Sequence, residues 1–175
     1  MTRVTVNVAD TVRDLRDQVV RPVIAHLAHE GGIAALASTA AEQLLLGTAV
    51  VESWGHNLEQ DGPGPALSPW QIEPATARDV LDRWLARHAP PPLRGAVGAL
   101  RVEAFGAVEQ LAGNLLLACA VARLRYWLAP DALPAAGDAA GLGAYWKRHY
   151  NTGLGKGDPA EFAARFRAHV VPLYG

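Results

Sequence analysis

Cysteine is almost missing from this chain, and the single copy, Cys119, excludes an intramolecular disulfide and any cysteine-built zinc site. It lies in the apolar run LAGNLLLACAVARL and reads as a small buried hydrophobe. An excess of either charge is missing too. The 16 basic and 17 acidic residues leave a formal charge of −1, and no run of five like charges occurs. That balance offers no electrostatic footprint for nucleic acid or for an anionic membrane surface. The amino terminus MTRVTVNVADTVRDLRD spreads charge through its first turns and lacks the apolar stretch of a signal peptide. No segment reads as long and apolar enough to span a bilayer. Together these absences predict a protein made in a cytoplasm without a signal peptide and without membrane insertion.

Apolar residues are plentiful. They make up half of the 175 positions, enough for one core but not for two domains and a linker. Val12, Leu15, Val19, Val23, Ile24 and Leu27 recur near helical period, with Pro22 expected to kink or split the segment and Gly31-Gly32 to close it. Ser38-Thr39-Ala40-Ala41-Glu42 reads as a helix start with Glu42 near a capping-box position. The run AAEQLLLGTAVVES then predicts a helix buried on most sides, with Glu52 at its carboxyl end. From Gly55 to Pro69 the density of Gly, Pro, Asn and Asp forbids a long regular element. Pro74 or Thr76 opens a helix through ARDVLDRWLARH, which Pro90-Pro91-Pro92 stops. Val97 to Leu128 is expected to form the central core helix or helix pair. A connector from Ala129 leads to short helices over Gly141 to Tyr150 and Pro159 to Val171, on either side of the turn-rich NTGLGKGDP. No repeat and no strand alternation is found, so the fold class is all-α, with at most a very small irregular β element in the loop after Glu52. Residues 1–32 read as an N-terminal helical attachment or packing segment and 33–175 as the main domain, in one compact unit.

A glutamate at a helix end, roofed by an irregular loop and flanked by Trp54 and Trp70, is placed where a carboxyl group is partly desolvated and keeps its proton towards neutrality. Such a group can serve as a general acid. Protonation of a glycosidic oxygen needs one most, because the alkoxide leaves poorly and the transition state is oxocarbenium-like. Taken alone, a helix-terminal glutamate is more often a solvated charge. Trp54 and Trp70 either stack on sugar faces or pack in the core, whereas Trp84, Trp127 and Trp146 read as core. Glu59, Asp61 and Glu73 are near enough in sequence to supply a second carboxylate but read as solvated loop charges. GLGKGD lacks the glycine spacing of a phosphate-binding loop. His26 and His29, beside Glu30, share a helix face without a third ligand, so neither a metal nor any other cofactor is expected.

The order of the parts adds to this. Glu52-Ser53, then Ala66-Leu67-Ser68-Pro69-Trp70-Gln71-Ile72, then Pro74-Ala75-Thr76-Ala77, and later His149-Tyr150-Asn151-Thr152-Gly153, together resemble the lysozyme-like lytic transglycosylase family. In that family a helix ends in Glu-Ser, a loop leads to GLMQ and P-x-T-A, and an AYN-type motif follows. The resemblance spans roughly Ala41 to Gly157. VVRPVIAHL, AAEQLLLGT and YWKRHYNTGLGKG are similar, more loosely, to tailed-bacteriophage proteins of this kind.

The resemblance implies a lysozyme-like fold that cleaves the β-1,4 bond between N-acetylmuramic acid and N-acetylglucosamine in peptidoglycan. It makes Glu52 the general acid, and afterwards the base that drives the muramyl 6-hydroxyl, or a water, onto the anomeric carbon. Ser53 would contact substrate or steady the acid, Gln71 and Trp70 would line the saccharide cleft, Tyr150 would set its hydroxyl against the glutamate, and Asn151 would fix the final turn. The implied partners are a glycan strand and phage tail or baseplate proteins, and the implied place of action is the host wall, reached from a virion. The chain departs from the pattern at Ser68-Pro69-Trp70, where the family has Gly-Leu-Met, and at His149, where alanine is common. The alternative is a structural tail or baseplate protein that keeps the shape with little or no activity.

Overall fold

The computed structural model describes residues 7–55, 65–151 and 156–175. Helix α1 (Val8–Asp14) begins at Asn7, whose side chain accepts from the Ala9 N–H, and runs through a π-helical segment (Leu15–Val20) into α2 (Arg21–Glu30). Pro22 explains the π segment. Proline lacks an N–H and crowds the carbonyl four residues back, so the ladder before it widens and Arg21 N–H donates to the Arg16 carbonyl. The expected kink is therefore a shift of hydrogen-bond register, with right-handed backbone kept at each junction. Gly32, at φ +70°, turns the chain out of the helix.

A 3₁₀ turn (Ala34–Leu36) leads to α3 (Thr39–Ser53), capped by Ser38 Oγ on the Ala41 N–H. Glu42 lies one position beyond the capping-box site, which Ala41 occupies. Glu42 is instead buried, its carboxylate accepting from Arg21 Nε and Nη2 and from the Tyr174 hydroxyl, so it fastens the C-terminal tail. Every residue from 41 to 50 is buried, which makes α3 the central helix. By length and composition Ala34–Ser53 would suffice to cross a membrane, contrary to expectation. Here that apolarity is spent against protein, because neighbouring helices surround α3.

Beyond the loop, Leu67 and Ile72 form an isolated antiparallel bridge, the sole strand-like feature among the described residues. Pro74 opens α4 (Pro74–Arg78), which continues as a π segment (Asp79–Leu85) and α5 (Ala86–His88). Of the three prolines that follow, Pro90 caps α6 (Pro91–Gly98) and the other two fill its first turn. The long helix expected from Val97 does not form. Residues 99–114 are turns with one 3₁₀ segment (Glu109–Ala112), because Gln110 and Asn114 spend their amides on nearby backbone. Gln110 accepts from Val102 N–H, its amide nitrogen reaches the carbonyls of Val102, Phe105 and Gly106, and Asn114 donates to Leu100 O. Helix α7 (Leu115–Trp127) then starts on Asn114, α8 (Ala139–Trp146) on Asp138 and α9 (Pro159–His169) on Asp158. A π segment (Lys147–Asn151) extends α8, and a 3₁₀ turn (Val171–Leu173) ends the chain.

The fold is all-α. Val12, Leu15, Val19, Val20, Val23, Ile24 and Leu27 share one core with α3 and α7, so the described part of the first 32 residues packs as part of the main body. Cys119 is fully buried in α7 as expected. Arg123 of α7 is buried too, donating to the Leu36 and Ala35 carbonyls at the entrance to α3. Gly47 lets Phe162 of α9 approach α3, since a Cβ there would lie 2.5 Å from Phe162 Cζ.

Candidate functional site

Glu52 occupies the last turn of α3, neither fully buried nor free in solvent. Helix α8 brings Trp146 against it. The Trp146 ring is 1% exposed and stacks on Phe162 at 5.4 Å, and its indole N–H donates to Glu52 Oε1 at 3.0 Å. The Asn151 side chain, in the π segment after α8, also favours the charged form of the carboxyl. Burial pushes the Glu52 pKa above its ordinary 4.5, and the bonds from Trp146 and Asn151 pull against that rise because they favour the carboxylate. The result is a carboxyl at a helix end, held by the Trp146 N–H, with Asn151 also favouring its charged form.

Asn151 is oriented in turn. Its Oδ1 accepts from Lys147 Nζ at 2.8 Å and from the Gly157 N–H at 3.1 Å, which leaves its amide nitrogen for Glu52. Tyr150 is adjacent, but its hydroxyl donates to the Trp70 carbonyl at 2.8 Å and not to the carboxylate. Its ring stacks on Tyr126 at 5.0 Å, and burial together with the Glu52 charge raises its phenol well above 10, so it keeps its proton. The expected Tyr150–Glu52 hydrogen bond is thus replaced by a tie between the π segment and the loop.

Two residues expected to touch substrate face inward. Trp70 is 0% exposed, and its indole N–H donates to the Leu45 carbonyl at 3.0 Å, so it packs the core and offers no face to a sugar. Ser53 is buried, with Oγ 2.8 Å from the Pro69 carbonyl and 3.2 Å from that of Ala49, so its one proton fastens the end of α3 to the loop. Gln71 remains half-buried at φ +47°, its amide nitrogen bound to the Ser68 carbonyl at 2.9 Å. Ser68 has φ +68°, the left-handed region that favours glycine, which gives a physical reason for the glycine of the GLMQ pattern. The Ser68 hydroxyl is buried without a partner among the described residues.

Trp54 follows α3 at φ +56° and is 39% exposed. The Arg165 guanidinium lies over its ring at 3.9 Å, His169 meets it edge-on, and Arg165 Nη1 reaches the Val50 and Val51 carbonyls. That arginine thus shares the Val50 carbonyl with the Trp54 N–H and adds a donor to the Val51 carbonyl at the end of the helix. His149 bonds Asp131 at 2.8 Å and packs on Tyr145, a structural post beside the site. Glu73 is exposed before α4, and Glu59 and Asp61, with Thr152 and Gly153, lie outside the described residues. No group of three metal-ligating side chains occurs among the described residues; His26 bonds the Ala96 carbonyl and His29 pairs with Glu30.

Sequence reasoning missed Trp146 as a partner of the acid. Its spacing of four and five from Tyr150 and Asn151 was the available signal, because an i→i+5 ladder gathers such residues on one face. Chemically, the arrangement can hold a proton on one carboxyl, release it to an acceptor on the open side, and take one back. No protein-family model matches the chain, and no curated protein or solved structure matches it either.

Proposed function

We propose that this protein is a peptidoglycan-cleaving glycosidase of the lytic transglycosylase or muramidase type, with Glu52 as its acid, working from a phage virion on the host wall. The observation that supports it is the Glu52 carboxyl itself, its pKa raised by burial, bonded by Trp146, and still partly open at the end of α3. In this reading Glu52 gives its proton to the glycosidic oxygen as the bond to the muramyl anomeric carbon breaks. The emptied carboxylate then takes the proton of the muramyl 6-hydroxyl, whose oxygen closes on that carbon to give a 1,6-anhydro sugar. This internal attack needs only the one carboxylate as acid and then base. Gln71 is the remaining saccharide-side candidate, with an amide suited to sugar hydroxyls and N-acetyl groups.

One observation favours the alternative, a structural tail component. Ser53, Trp70 and Tyr150 all direct their polar groups to the protein's own backbone carbonyls. A zymogram on purified peptidoglycan separates the two readings. Clearing by the wild type and none by an equally folded Glu52→Gln variant is expected. Clearing by both removes Glu52 from the catalytic role, and clearing by neither rejects the enzyme.

A further inference from the structure

The end of α3 meets the junction of α8 with its π segment at the Glu52 carboxyl, and residues 156–158 close against that junction. The last of these comes unusually close. A Cβ on Gly157 would lie 2.2 Å from Trp146 Cη2 and 2.9 Å from both Cγ and Nδ2 of Asn151. Trp146 donates to Glu52 Oε1, and Asn151 is the other side chain that favours the Glu52 carboxylate. Neither has an easy retreat, because the Trp146 ring is stacked on Phe162 and Asn151 Oδ1 is held by Lys147 Nζ and by the Gly157 N–H itself.

We propose that Trp146 and Asn151 are positioning residues for Glu52, and that the missing side chain of Gly157 lets the chain close over both and keep their N–H donors on its carboxylate. A methyl group at 157 must displace the indole, rotate the Asn151 amide, or push residue 157 away and break its own N–H bond to Asn151. The first two take a donor away from the carboxylate, and the third removes one of the two donors that hold the Asn151 amide in its orientation. The orientation of Asn151 follows the same logic: Lys147 and Gly157 both donate to its oxygen, so only its nitrogen is left to face Glu52. The geometry assigns these roles about the carboxyl group; their importance for turnover rests on the reading of Glu52 as the acid.

The test reads the carboxyl directly. In the full chain, the Glu52 carboxyl carbon resonance is assigned by its loss in Glu52→Gln, and the Trp146 indole N–H, one of five tryptophan indoles, by its loss in Trp146→Phe. Both are followed by NMR from acidic to neutral pH, alongside lysis of peptidoglycan. In the wild type the indole signal should titrate with the Glu52 midpoint, and in Glu52→Gln it should not titrate. Gly157→Ala should raise the Glu52 midpoint by about one pH unit, as expected for loss of one charge-assisted donor. Trp146→Phe keeps a ring to stack on Phe162, and it and Asn151→Ala should shift the midpoint the same way; they decide the matter if Gly157→Ala does not fold. Titration curves in Gly157→Ala, or in both donor variants, that superimpose on the wild type overturn the proposal. If the midpoints shift and no form lyses peptidoglycan, the positioning role stands and the enzyme reading falls.

Discussion

At the scale of single residues, Glu52 is set by two opposed effects. Burial favours the neutral acid, while the N–H groups of Trp146 and Asn151 favour its anion. A group that must both give and regain a proton benefits from a pKa brought nearer the working pH. Ser68 shows a different tension. Its left-handed backbone costs a non-glycine residue about 1 kcal/mol, and its buried unpartnered hydroxyl costs about 1 kcal/mol more. Glycine would relieve both, against about 0.5–1 kcal/mol of added unfolded-chain entropy. Ser68→Gly should therefore stabilise the fold by about 1 kcal/mol in denaturant melts, and a loss of stability would contradict the account of that turn. From sequence, serine in place of the family's glycine was visible as a departure, but its cost was not, because φ is set by the Leu67–Ile72 pairing around it.

At the scale of elements, helix α3 was legible because a continuous apolar run after a serine cap admits few other structures. Its end at Glu52-Ser53 was legible for the same reason. The π segments were not. They arise where a proline or a packed side chain disturbs the ladder, and apolar periodicity has no term for that. The stretch 99–114 was misread because its residues are as apolar as those of a helix, while the deciding groups are two amide side chains, Gln110 and Asn114. Packing between elements is just as local. Gly47 is the point where α9 closes on α3, and Gly47→Ala gains about 1 kcal/mol of helix propensity but must displace Phe162. Overpacking of about 1–3 kcal/mol should dominate, giving a lower melting temperature. Since Phe162 stacks on Trp146, the variant should also shift the Trp146 indole signal. An unchanged melt and an unchanged indole would refute this chain of contacts.

At the scale of the molecule, one core holds everything together, and the N-terminal helices belong to it. The composition gave no hint of this, because an amphipathic segment looks the same whether it packs on its own chain or on a partner. Val12, Val20 and Leu27 are fully buried, so a chain beginning at residue 33 would leave α3 and α7 facing solvent where they now face the Leu15–Val20 segment and α2. Removal of residues 1–32 should abolish near-ultraviolet dichroism and solubility; a folded, soluble 33–175 fragment would contradict the single-core description. The site likewise depends on the whole. The motif order singled out Glu52, Gln71 and Asn151 but gave no sign that Trp70, Ser53 and the Tyr150 hydroxyl turn to the protein's own backbone, because which face a tryptophan or serine presents is decided by tertiary packing.

The central claim is that one carboxyl protonates the linkage between two sugars and then takes the proton of an internal hydroxyl. Mass spectrometry of the fragments released from peptidoglycan tests it most directly. The account predicts muramyl ends one water lighter than hydrolysis products from the wild type, and no fragments from Glu52→Gln. Hydrated ends would contradict the internal attack, and fragments of either kind from Glu52→Gln would contradict the role of Glu52 itself.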